Sequence, residues 1–150
     1  MRAIIQRTTR AEVRIEGQCK GKIGTGLVIL AGIIDDDNEE DIRWISGKIA
    51  RMRIFEDEAR KMNKSVQDVG GNILLISQFT LHASTKKGNR PSFIKAASPE
   101  VAIPLYNKLK DQLEKDTDAS VETGEFGAFM DIDFINDGPV TIMLDSKNKE

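Results

Sequence analysis

The chain contains a single cysteine, Cys19, and a single histidine, His82, in 150 residues. One cysteine excludes an internal disulfide framework and fits a reducing compartment. With one thiol and one imidazole, a zinc site would lack its usual ligands. No apolar run approaches the ~18 residues of a membrane span, and Met1–Ile5 gives way to Gln6 and Arg7 too early for a secretory signal. No carboxylate pair and no Ser/His/Asp set stands out. Acids are also missing locally, since Val69 to Pro99 contains neither Asp nor Glu.

What is present is ordinary for a globular protein, at 39% hydrophobic and 31% charged residues. The length suits one domain, residues 1–150, able to bury ~68–70% of its unfolded surface. A formal net charge of −2 speaks against a generic nucleic-acid coat. Within the acid-free stretch, however, Lys86, Lys87, Arg90 and Lys95 concentrate positive charge in ten residues. Such a cluster reads either as a solvated loop or as a rim facing phosphates.

Strand patterns dominate the first third. Arg2–Thr9 and Ala11–Glu16 alternate apolar and polar residues, Cys19–Ile23 is a short third strand, and Gly26–Ile34 is a continuous apolar run. The run Asn72–Ser77 is apolar in the same way, as expected of strands covered on both faces. Ile42, Ile45, Ile49 and Met52 fall at helical spacing behind an N-cap at Asp37 or Asn38. A second helix begins with Ser98 as cap and Pro99 at its first position, and carries Ala102, Leu105, Leu109 and Leu113 on its apolar stripe. Pro104 removes one bond from its early turns. Phe129–Ile135 and Val140–Leu144 read as a hairpin joined by Asn136–Pro139, and Ser146–Glu150 as a frayed tail. The fold class is therefore α+β: mostly antiparallel β-sheets forming a barrel-like core, with two main helices packed outside.

Two short segments break their strand patterns. Ser77, Gln78 and Thr80 gather polar side chains where a buried strand ends. They are either capping polars or a rigid platform aiming side chains and peptide N–H groups at a ligand. Thr80 and His82 fall on one face of an extended chain, yet no acid lies nearby in sequence to orient the imidazole for a threonine nucleophile. Gly138-Pro139 is either a plain turn or a cis peptide that fixes two carbonyl directions. The sequence leaves both pairs of readings open.

Four segments in order resemble the D-aminoacyl-tRNA deacylase family: Ser77-Gln78-Phe79-Thr80-Leu81, Gly88-Asn89-Arg90-Pro91-Ser92-Phe93, Thr123–Met130, and Asn136-Asp137-Gly138-Pro139-Val140-Thr141. The amino-terminal Met1–Arg7 and Gly26–Ile33 are similar too, so the resemblance covers essentially the whole chain. It implies a cytoplasmic homodimer with active sites at the subunit interface, hydrolysing the ester between a D-amino acid, or glycine, and the 3′-terminal adenosine of tRNA. The same resemblance implies that Ser77, Gln78, Phe79 and Thr80 form the catalytic pocket floor. Gly138 and Pro139, in cis, would cross from the other subunit to exclude L-amino acids, with Arg7 orienting them and Phe126 and Met130 housing the adenosine. Lys86, Lys87 and Arg90 would meet tRNA phosphates. The expected partner is aminoacylated tRNA, with no membrane, no DNA, no cofactor and no metal. Two alternatives stand beside this one: a non-catalytic tRNA-binding module on the same scaffold, or Thr80 as a covalent nucleophile.

Overall fold

The computed structural model describes residues 1–150. Its organising strand is β1 (Arg2–Ile15), whose odd-numbered residues Ala3, Ile5, Ala11 and Val13 are buried. The two expected amino-terminal strands are thus one, jogged where the Thr8 hydroxyl binds the Arg10 backbone. On one edge, β1 pairs first with β3 (Gly26–Gly32) and then with β2 (Gln18–Ile23), antiparallel to both. After helix α1 (Glu39–Arg51) and a small hairpin of β4 (Phe55–Glu56) and β5 (Met62–Lys64), β6 (Asn72–Ser77) joins β3 in parallel. Helix α2 (Pro99–Thr117) follows, and β7 (Val121–Thr123) adds to β6, again in parallel.

The resulting order β2-β1-β3-β6-β7 curls until its two edges nearly meet. At that seam Gly21 of β2 lies so close to β7 that a Cβ there would sit 3.1 Å from the Thr123 carbonyl oxygen. This curl explains the two continuous apolar strands. One face of β3 and β6 packs Leu27, Ile29, Ile73 and Leu75 against Ile42, Ile45 and Ile49 of α1 and Leu109 and Leu113 of α2. Their other face packs Val28, Leu74 and Ile76 against Ala11, Val13 and Ile23 inside the curl. Full burial of each such side chain stabilises by ~1.5–3 kcal/mol. The expected α+β barrel with two outer helices is what forms, with a mixed sheet.

Helix α1 starts as its sequence suggests. Asn38 caps it, and Asp41 returns a bond to the Asn38 N–H at 2.9 Å. Ser98 precedes α2, but its hydroxyl makes no capping bond. The stripe of α2 also includes Tyr106, whose hydroxyl donates to the Leu75 carbonyl at 2.7 Å.

Two expectations are corrected. The hairpin does not form: β8 (Asp131–Asp145) is one strand running antiparallel along the free edge of β1, with its two halves pairing in the same direction. Asn136–Pro139 does not reverse the chain; Asp137 to Val140 bulge out opposite the single residue Arg7. The tail is not frayed over its whole length. Ser146 is buried, its hydroxyl accepts from the Met1 ammonium at 2.9 Å, and Lys147 bonds the Asp41 carboxylate at 2.8 Å. The Met1 ammonium is also paired with Asp37. No helix is long and apolar enough to cross a membrane.

Candidate active site

Strand β6 delivers Ser77 to the barrel rim. The next residue, Gln78, makes a last bond to β3 through its N–H, 2.7 Å from the Ala31 carbonyl oxygen, and then leaves strand geometry. Phe79–His82 form a single 3₁₀ turn, closed by Leu81 N–H to Gln78 O and Ala83 N–H to Thr80 O. Phe79 and Thr80 open that turn, so their N–H groups have no carbonyl within it to meet. A buried strand thus ends in a turn whose first two backbone donors are not used within it.

The side chains around it are arranged for shape more than for acid–base chemistry. The Gln78 side-chain amide donates to the Thr80 hydroxyl at 2.6 Å. An amide is no base, so this contact does not activate Thr80. His82 faces elsewhere: it is buried beside Arg2, Asp35, Asp36 and Lys95, in a different cleft from the one at Ser77. Burial holds its imidazole pKa below the ordinary value, with Arg2 and the Met1 ammonium adding to the effect and the Gly32 carbonyl opposing it. No cluster of three or more His, Cys, Asp or Glu comes together as a metal site.

Ser77 and Phe79 are shared by two adjoining, mostly apolar clefts. One, about 230 Å³, is walled by Gln78, Ala128, Phe129, Met130 and Ile132. The other runs between Ala31, Ala97, Ala102 and Phe126. Phe126 is fixed by an edge-on contact with Tyr106 at 5.9 Å, and Phe79 by one with Phe93 at 5.1 Å. Ser77 and Phe79 thus line both clefts, Gln78 and Met130 the first and Phe126 the second, while Thr80 lines neither. Sequence reasoning missed Phe129 as a wall residue and Phe93 as the brace of Phe79. Phe93 lies within a segment singled out by resemblance, but nothing in its local pattern marks the contact.

Gly138 and Pro139 do not line either cleft of their own chain. They are exposed at the β8 bulge, joined by a cis peptide bond, with Gly138 at φ +126°. Beneath them Arg7, only 5% exposed, reaches the Asp137 carboxylate at 2.9 Å and carbonyl oxygen at 3.3 Å, and donates to the Ile54 carbonyl at 2.7 Å. The Asn136 side chain accepts from Val140 N–H and donates to the Thr141 hydroxyl, which closes the bulge from the other side. Lys86, Lys87 and Arg90 project from an exposed loop pinched by paired backbone bonds between Ser84 and Ser92. That loop springs directly from the 3₁₀ turn.

Fold and cleft together define a small, nearly closed α+β barrel with a mostly apolar cleft at a strand end. Comparison with known proteins then names its kind. Residues 4–145 match the family model described as D-Tyr-tRNA(Tyr) deacylase. Proteins named D-aminoacyl-tRNA deacylase from Bacteroides thetaiotaomicron and Akkermansia muciniphila are 56% and 58% identical to it, each over the full length of both chains. A solved structure titled "c-Myc DNA Unwinding Element Binding Protein" is 41% identical, with a TM-score of 0.91 over 97% of this chain and 98% of that one. A second, described as a probable eukaryotic D-amino acid tRNA deacylase, shares the fold at TM-score 0.81 and 17% identity, over 95% and 97% of the two chains. The chain belongs to the D-Tyr-tRNA(Tyr) deacylase family, and with it to the hydrolases.

Proposed function

We propose that this protein hydrolyses the ester joining a D-amino acid, or glycine, to the 3′-terminal adenosine of tRNA, and so recycles mischarged tRNA in the cytoplasm. Family membership supports the reaction class. The observation that carries the mechanism is the 3₁₀ turn at the end of β6, whose first residue, Phe79, lines a mostly apolar cleft that holds no side-chain base.

In this reading the aminoacyl group enters the cleft between Phe79 and Met130, and the scissile carbonyl oxygen meets the Phe79 and Thr80 N–H groups. One well-placed oxyanion donor is worth about 2.7–4 kcal/mol of barrier. An aminoacyl ester is already activated, and the neighbouring ribose 2′-hydroxyl can position the attacking water, so a strong protein base is not required. Stereoselectivity comes from Gly138 and Pro139 of a second copy of the chain, set over the cleft so that an L side chain collides with them. The exposure of that pair and its distance from its own chain's clefts support a homodimer in which each site is completed by the partner. The exposed Ile135 and Met143 elsewhere on β8 supply apolar surface for such a contact.

Thr80 as covalent nucleophile is the competing mechanism. The test is release of D-tyrosine from D-tyrosyl-tRNA by Thr80→Ala. Turnover within about 10-fold of the parent is expected from backbone donors; complete loss with tRNA still bound would overturn them.

A further inference from the structure

The 3₁₀ turn is held at two points, and only the first belongs to the sheet. Its entry is fixed by Gln78 N–H on the Ala31 carbonyl. Its exit is fixed by a side chain from β1, two strands away: Arg2 Nη1 donates to the Leu81 carbonyl at 2.9 Å. Arg2 stands opposite Asp145 in the β1–β8 ladder, and its Nε meets the Asp145 carboxylate at 2.8 Å. Asp145 is in turn fixed by Lys147 N–H at 2.9 Å. Beneath the turn lies Gly32, where a Cβ would fall 2.8 Å from the Gln78 carbonyl oxygen and 3.0 Å from both Leu81 and His82 side-chain atoms. The turn therefore rests directly on β3, with the Asp145–Arg2 pair bonded to its far end.

A single turn of 3₁₀ helix has little internal hydrogen bonding to keep its shape. Its last carbonyls need partners, and Arg2 is the one found for Leu81. We infer that Arg2, oriented by Asp145, is a positioning residue for hydrolysis: it sets the direction of the Phe79 and Thr80 N–H groups without touching substrate. The inference rests on the proposal that those N–H groups hold the scissile carbonyl. Misplacing catalytic groups by about 1 Å can cost on the order of 100-fold in rate. An ordinary exposed ion pair, by contrast, contributes little to stability, and the Arg2 side chain is 40% exposed. A rate effect out of proportion to the stability effect thus separates the two roles.

The experiment compares Arg2→Gln, Arg2→Lys and Asp145→Asn with Arg14→Gln, a control on an exposed arginine of the same strand. Each is assayed for kcat and KM on D-tyrosyl-tRNA, for thermal midpoint, and for backbone amide NMR shifts at Phe79–Ala83. For Arg2→Gln we expect displaced amide resonances confined to the turn, kcat down about 10- to 100-fold, KM within 2-fold (about experimental spread), and a midpoint close to the parent. Asp145→Asn should move the same resonances less, Arg2→Lys should recover part of the rate, and Arg14→Gln should match the parent. Unmoved turn resonances, or a loss carried by KM alone, would overturn the role of Arg2. Displaced resonances with unchanged kcat would also overturn it, and would locate the fault in the backbone-donor mechanism instead of in the Arg2 contact.

Discussion

Arg7 is the single residue of β1 opposite the bulge Asp137–Val140, and its Nε lies 2.9 Å from the Asp137 carboxylate. A buried guanidinium thus grips the root of the exposed Gly138-Pro139 pair while also closing on Ile54 of the loop after α1. Its rigid planar fork makes both contacts at once, with less side-chain freedom to lose than a lysine would have. Arg7→Met should lower stability by about 1–3 kcal/mol through the carbonyls and carboxylate left without a partner. Arg7→Lys should lose less stability. Both should raise the ratio of L- to D-ester hydrolysis, measured by acid-precipitable label remaining on tRNA. An unchanged ratio would detach Arg7 from selectivity.

Gly138 leaves no room for a side chain. At φ +126° an L-residue is strained, and its Cβ would lie 2.8 Å from Val140 Cγ2 and 3.3 Å from Arg7 Nη2. Strain of this kind costs on the order of 1–3 kcal/mol. Gly138→Ala should therefore lose stability in denaturant titration, and D-selectivity along with it. A fully selective, equally stable variant would contradict the close-fitting gate.

The basic loop should act through salt, not through chemistry. Replacing Lys86, Lys87 and Arg90 by Gln should raise KM, leave kcat near the parent value, and flatten the plot of log affinity against log salt by about one unit per lost charge. A salt slope that does not move would make the loop a plain solvated surface.

His82 should set the pH dependence of stability just below its ordinary pKa of 6.5. The folded protein lowers its pKa from the ordinary 6.5, chiefly by burial. The unfolded chain therefore takes up the proton first, so stability is full above about 6.5 and declines as pH falls toward the folded-state value. Asp41 titrates in a lower window. Burial opposes its ionisation, but bonds from Lys147, Ser146 and Asn38 outweigh that and lower its pKa to about 2, so its contribution is lost only in stronger acid. His82→Gln should flatten the slope below about pH 6.5 in urea titrations. A slope that persists would assign it to other groups.

Much of this architecture is legible in the residues. Apolar runs at Gly26–Ile34 and Asn72–Ser77 marked β3 and β6 because both faces of each are covered, and Asn38 and the Ile42–Ile49 spacing marked α1 because local capping and burial agree there. The β8 bulge was misread for a physical reason. Asn136-Asp137-Gly138-Pro139 has the composition of a turn, and only the continuous partner strand β1 shows that the chain passes straight through it. The tail was misread because Ser146 and Lys147 look like any polar terminus until Met1, Asp37 and Asp41 are placed beside them. At the site, Ser77–Thr80 was visible as a polar break after an apolar strand. Arg2 and Asp145 were not, since their pairing joins opposite ends of the chain and neither lies in an unusual local pattern.

The most direct test is deacylation of matched D- and L-tyrosyl-tRNA by the purified protein, with and without a chelator. We expect rapid loss of the D-ester alone, indifferent to chelation because no cluster of carboxylate, imidazole or thiol groups gathers at the cleft. Equal loss of both esters would contradict the gate at Gly138-Pro139. Loss of neither, with tRNA still bound, would contradict the catalytic role of the Ser77–Thr80 turn.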